Sequence, residues 1–261
     1  MITLKNNIKI IDVTDDNISE TGVYCIKDKK SAGCRAKVDW FRSNLVNGVR
    51  IKIATDYNDR QLGFIEYIPS EFAWRPVKAC NYMFIQCILI FSNEVKGKGI
   101  GSLLLQKCEE DARDLSKSGL CAMSSKGAWM ANRSLYEKNG FTVGNKLGRF
   151  ELMIKSFNDI SSKPTFIDWT REQAKYEGWN LFYSDQCPWH KKSVNDLKQS
   201  ALEKGINLKV TRLTSPADAQ GAPSGFGTFA LIKDGKLLED HYLSRKRFEN
   251  IVKQEISRNE H

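Results

Sequence analysis

The chain has 261 residues, 41% of them hydrophobic and 10% aromatic, which is enough for a buried core and more comfortable as two domains than one. Forty Lys and Arg against 31 Asp and Glu give a net charge of +9, which favours anionic partners in general. The basic residues are dispersed, with no zinc-finger spacing and no dense basic run with interleaved aromatics, so nucleic acid is not indicated. No apolar run approaches the ~20 residues of a membrane span, and the first residues lack the regions of a signal peptide. The seven cysteines include no C-x-x-C pair and there are only three histidines, so no metal is expected and a reducing, cytoplasmic compartment is.

In chain order, residues 8–13 read as a first strand, and Thr14 to Glu20 carry helix-start chemistry. Val38, Phe41 and Leu45 repeat at helical spacing, and Gly48 supplies a stop. Residues 49–55 and 62–68 form a hairpin across a turn at 56–60, and Arg75-Pro76 breaks the pattern. The apolar run Tyr82 to Phe91 reads as a buried strand. After it come Gly97, Gly99 and Gly101, then an amphipathic helix to about Ser116 with Ile100, Leu103, Leu104 and Cys108 on one face. Further strands are expected at 119–124, 140–143 and 150–155, with a helix over 132–139. The order implies an α+β domain, a mixed sheet with its ligand loop at a strand's C-terminal end.

Strand, glycine turn and helix N-terminus make an anion site, because the first helical N–H groups have no internal partner and Lys96 and Lys98 add charge. The nucleotide P-loop is excluded by the order Gly101-Ser102-Leu103, and the dinucleotide fingerprint by Ser102 where glycine is required. The pattern (Arg/Gln/Lys)-x-x-Gly-x-(Gly/Ala) does fit, at Lys96, Gly99 and Gly101. In this the chain resembles the GNAT acetyltransferases, whose loop of this form holds the pyrophosphate of acetyl-CoA; Lys96 stands where Arg or Gln is usual. The segment Asn132 to Phe141 matches a second signature of that family, Asn-x-x-x-Tyr-x-x-x-Gly-Phe. A plain amphipathic helix with a glycine cap would read the same way, but two signatures in order, about 35 residues apart, favour the family.

The resemblance implies acetyl-CoA as co-substrate and no metal. It implies pyrophosphate contacts at Lys96, Gly97, Lys98, Gly99, Ile100, Gly101 and Ser102, and backbone contacts along the strand at Cys87 to Ile90, including Ile88 and Leu89. It assigns a pantetheine contact to Asn132 and protonation of the leaving thiolate to Tyr136. The attacking amine must be neutral, so a base is needed; Glu66 is the candidate, and a solvated carboxylate is its plainer reading. Trp74, Arg75 and Trp129 are candidates for an acceptor pocket, or for small satellite cores.

The polar stretch Lys155 to Pro164 reads as a boundary, giving domains at 1–157 and 165–261. Beyond it, a strand at 180–184, a helix at 191–204, a strand at 207–212, a hairpin through Asp234-Gly235 and a closing helix at 244–256 follow the βαβ, ββα order of thioredoxin-like α/β folds. Cys187-Pro188-Trp189-His190 falls at the strand-to-helix turn, where a helix N-terminus lowers a thiol pKa. There is no second cysteine at 190, and Gly227 stands where thioredoxins place a proline. A GNAT domain ahead of such a unit resembles the YoaP-like acetyltransferases. Cys187 has three readings: a cap residue, a thiol site with His190 one helical turn on, or part of the acceptor pocket.

The expected function is acetyl-CoA-dependent N-acetyl transfer to a small-molecule or peptide amine. The alternative is a coenzyme A-binding sensor or scaffold whose thioredoxin-like half binds a partner; a dithiol oxidoreductase is weakened by the missing second cysteine.

Overall fold

Strand-forming stretches between residues 9 and 156 assemble into one seven-stranded sheet. The computed structural model describes residues 8–22, 25–26, 28–91, 95–127, 129–158 and 162–259; part of the expected boundary stretch, residues 159–161, lies outside them. The elements run β1 (Lys9–Asp12), α1 (Ile18–Thr21), α2 (Ala32–Asn44), β2 (Arg50–Thr55), β3 (Gln61–Pro69), β4 (Val77–Lys78), β5 (Tyr82–Ile90), α3 (Ile100–Asp114), β6 (Gly119–Ser124), α4 (Arg133–Glu137), β7 (Thr142–Leu147), β8 (Phe150–Ser156) and β9 (Thr165–Phe166). The sheet order is β1-β2-β3-β5-β6-β8-β7. Only β5 and β6 are parallel, joined across α3; the other neighbours pair antiparallel. Short β4 and β9 pair separately.

The helix stop at Gly48 is real, with φ +79 in the left-handed region that suits glycine. The helix start at Thr14 yields a single turn, α1, with Asn17 at its N-cap position and Gly22 closing it five residues later. Helix α3 buries Ile100, Leu104, Leu105, Cys108 and Ala112 against the sheet. The face is therefore rotated from the expected one: Leu105 is buried and Leu103 only half-buried. Ile65, Tyr67, Ile85, Ile88, Leu120 and Ala122 meet these side chains in one core. At the far end of α3, Asp111 accepts from the Tyr67 hydroxyl at 2.7 Å and from Arg50 at 2.6 Å, so the sheet's buried phenol is satisfied.

The second compact unit is discontinuous in sequence, comprising Cys25–Trp40, Trp74–Pro76 and Asp168–His261. Its elements are α5 (Thr170–Gln173), β10 (Trp179–Tyr183), α6 (Trp189–Glu203), β11 (Leu208–Arg212), α7 (Pro216–Gln220), β12 (Phe229–Lys233), β13 (Lys236–Glu239) and α8 (Arg245–Asn259). The sheet order is β11-β10-β12-β13, with β10 and β11 parallel and the rest antiparallel. The expected strands, helices and hairpin are all present. Helix α7 is an addition, begun by a Ser215–Asp218 capping box with Pro216 at its first turn.

Candidate active site

Gly97 and Gly99 both take positive φ, +77 and +86, and Gly99 is the N-cap of α3. A Cβ at Gly97 would meet nothing within 4 Å, so its conformation and not crowding calls for glycine. Gly101 has a different reason. A Cβ there would come 3.0 Å from the Leu135 side chain, so this glycine lets α4 approach α3. Lys96 and Lys98 are exposed beside the loop, and the first-turn N–H groups of α3 open onto it.

Next to this loop the sheet parts. β5 pairs with β6 from Tyr82↔Gly119 to Ile85↔Ala122, although β5 continues to Ile90 and β6 to Ser124. On its other side β5 stays paired with β3 as far as Gly63↔Ile90. Gln86 is an extra residue where the β3 register shifts, since Glu66 faces Cys87 and Tyr67 faces Ile85. Such a bulge bends and twists its strand, which is a local cause for the parting. The β5 edge from Gln86 to Ile90 thereby turns backbone donors and acceptors toward the gap, groups that need partners. Ile88 points into the α3-side core, while Leu89 is 41% exposed.

Tyr136 of α4 is buried in that same core, its ring 5.4 Å from Phe141. Burial drives its phenol pKa well up, with the Cys87 and Cys108 thiols adding to the effect, so the hydroxyl keeps its proton. Tyr136 shares that core with Ile85 and Ile88 of β5. Asn132 caps α4, its Oδ1 accepting from the Ser134 N–H at 3.0 Å. Glu66 lies between Ile65 and Tyr67, both turned toward α3, and so projects to the opposite face of the sheet. It is 1% exposed, and the Gln86 amide donates to it at 3.3 Å. The solvated-carboxylate reading of Glu66 is therefore corrected: the group is buried.

Ser124, which nothing in the sequence singled out, ends β6 on the α3 face, two residues beyond the last pair with β5. It is fully buried and its hydroxyl has no hydrogen-bond partner among the described residues, whereas buried hydroxyls are normally satisfied. An orphan hydroxyl is a tertiary feature, invisible in a residue pattern.

Trp129 is 46% exposed on the loop before α4, with φ +67. Trp74 and Arg75 belong to the second unit, where both are buried. Arg75 donates through Nη1 to the Trp74 carbonyl at 3.0 Å and to Thr228 Oγ1 at 2.9 Å, with Phe226 4.4 Å beneath its guanidinium. In that unit Cys187 is half-buried at the turn into α6 and His190 is 1% exposed. The imidazole turns back to the Ser184 carbonyl, 3.0 Å from Nδ1, so Nδ1 carries the proton. Its Nε2 has no hydrogen-bond partner among the described residues. Burial pushes the His190 pKa down to about 3, and the Arg75 and Lys37 cations push the same way. Elsewhere in this unit Glu239, Asp240 and His241 bring one ligand atom each within 4.8 Å, but Arg247 already pairs with Glu239 at 2.7 Å.

Residues 49–143 match the family model described as an acetyltransferase (GNAT) domain, and residues 207–250 match the YoaP-like model. The chain carries a GNAT acetyltransferase domain followed by a YoaP-like domain. It is an enzyme of the GNAT N-acetyltransferase type. A protein of Bacillus subtilis (strain 168), described as an uncharacterized N-acetyltransferase, YoaP, is 27% identical over 248 residues, spanning 93% of this chain and 97% of its own. Among solved structures, a GNAT-family acetyltransferase of Staphylococcus aureus is 15% identical over 58% of this chain and 99% of its own, with a TM-score of 0.44. The PaiA N-acetyltransferase of Thermoplasma acidophilum, solved in complex with coenzyme A, is 18% identical over 57% and 99%, with a TM-score of 0.40.

Proposed function

We propose that this GNAT enzyme transfers an acetyl group from acetyl-CoA directly to the nitrogen of a small-molecule or peptide amine. The observation that carries the reading is the parting of β5 from β6 after Ile85 beside a glycine-capped helix N-terminus. The residues suit the cofactor. Gly97 to Ser102 and the α3 N–H groups offer a cradle for pyrophosphate, with Lys96 and Lys98 supplying charge. The β5 backbone at Ile88, Leu89 and Ile90, the Asn132 side chain and the orphan Ser124 hydroxyl offer polar contacts for the amide-bearing arm. When bound, acetyl-CoA supplies an activated thioester carbonyl.

Glu66 takes the proton that the amine must lose, held in position by the Gln86 amide. Tyr136 keeps its phenolic proton through burial and delivers it to the leaving sulfur. Among the described residues no helix is long and apolar enough to cross a membrane. The seven cysteines are all thiols, which supports a reducing, cytoplasmic setting. Along the sequence we set the acetyltransferase domain at 1–157 and the second at 165–261, with Cys25–Trp40 and Trp74–Pro76 grouping with the second compact unit. That second domain we read as thioredoxin-like, a reading supported by its parallel β10–β11 pair, antiparallel β12–β13 hairpin and order β11-β10-β12-β13. Cys187, at the turn into α6 with His190 behind it, is the thiol site of that fold. Thiol release from acetyl-CoA, measured across a panel of amines, tests the main reading. Turnover with at least one amine is expected, and failure of acetyl-CoA to bind would sink it.

A further inference from the structure

The second unit contains three of the seven cysteines, Cys25, Cys34 and Cys187, and all three lie one residue from a single point of contact. That point is Gly33, at the start of α2. A Cβ built on it would fall 2.0 Å from the Pro188 carbonyl oxygen and 3.6 Å from the Ile26 side chain. Cys34 follows Gly33, Cys187 precedes Pro188 and Cys25 precedes Ile26. Consecutive Cα atoms are about 3.8 Å apart, and a disulfide needs Cα atoms roughly 4.4–6.8 Å apart. The backbones of α2 and of the Cys187 turn thus meet one residue from each of these two cysteines.

Among the described residues the three sulfurs do not gather within 4.8 Å of one another, as a preformed metal ligand set would. Cys187 is half-buried at a strand-to-helix turn. Cys34 is 3% exposed and sits in the first turn of the 13-residue α2. It shares the inward face of α2 with Gly33, Lys37 and Trp40, all buried. Cys25 reaches the same point only through the Ile26 side chain.

We propose that Cys187 and Cys34 are a redox pair, so that the thiol absent from position 190 is supplied by α2 and the unit exchanges thiols with a small-molecule disulfide. Cys187 thiolate attacks one sulfur of the disulfide, forming a mixed disulfide and releasing the first thiol. Cys34 thiolate then attacks the Cys187 sulfur, closing Cys34–Cys187 and releasing the second thiol. Both cysteine protons end on the released thiols, and the pair loses two electrons to the disulfide. The attacking role of Cys187 rests on the thioredoxin-like reading; the proximity of Cys34 rests on Gly33 alone.

The test treats the full chain with oxidised glutathione, alkylates remaining thiols in denaturant and maps the digest by mass spectrometry. The expected result is a Cys34–Cys187 linked peptide, with glutathione retained on Cys187 in Cys34→Ser and linkage retained in Cys25→Ser. The wild-type map decides even where Cys34→Ser does not fold. Glutathione left on Cys187 of the wild type, or a Cys25–Cys187 link, overturns the pair but keeps the thiol site. An unmodified Cys187 overturns both. Acetyl transfer measured on the same samples reports separately on the other site.

Discussion

Tyr136 carries the most specific chemical demand in the acetyltransferase unit. Its ring is part of the core and its hydroxyl is kept protonated by burial, so in the proposed function one residue serves both packing and proton delivery. Tyr136→Phe retains the ring against Phe141 and removes only the proton. General acid catalysis contributes about 10²–10⁴-fold, so kcat should fall by that order while the affinity for acetyl-CoA, measured by titration, stays the same. A coenzyme A-binding scaffold would show unchanged affinity with no turnover to lose. Glu66 differs in its dependence on a neighbour: the Gln86 contact that orients it exists because the extra residue at the bulge brings the amide alongside.

At the scale of elements, the glycine loop divides its labour. Gly97 and Gly99 are needed for their backbone angles, and Gly101 for the approach of Leu135. A non-glycine residue in the left-handed region costs about 1–2 kcal/mol. Gly99→Ala should therefore distort the cap of α3 and raise KM for acetyl-CoA, while the thermal midpoint drops by a few degrees at most. Gly101→Val should act through stability, since its side chain runs into Leu135. Steady-state kinetics and a melting curve on both variants separate the two roles. If Gly99→Ala leaves KM unchanged, the loop does not hold the cofactor.

At the scale of the whole molecule, stability carries a pH signature through His190. Its pKa is about 3 in the folded chain against an ordinary 6.5. Above about pH 6.5 both folded and unfolded chains hold neutral imidazole, and this stability is fully present. As the pH falls from 6.5 toward 3 the unfolded chain takes up a proton that the folded chain refuses, so stability is lost by up to about 1.4 kcal/mol per pH unit. Urea midpoints measured from pH 7 to pH 4 should fall less steeply for His190→Asn than for the parent. Parallel slopes would mean that His190 is not the buried base the geometry describes.

Much of this was legible in the sequence because it is written in short range. The glycine spacing at 97, 99 and 101, the Asn132–Tyr136 segment, the helix stop at Gly48 and the Asp234-Gly235 turn each depend on residues within a few positions of one another. Periodicity likewise located nearly every strand and helix, since side-chain direction repeats every two or 3.6 residues. The tertiary structure alone decided which segments share a unit and which polar groups are left over. Arg75 meets Thr228 across 153 residues, Gly33 meets Pro188, and His190 turns to the Ser184 carbonyl. The parting at Ile85, the burial of Glu66 and the orphan hydroxyl of Ser124 arise the same way. Each depends on where the rest of the chain packs, and contacts between distant segments leave no local period to read.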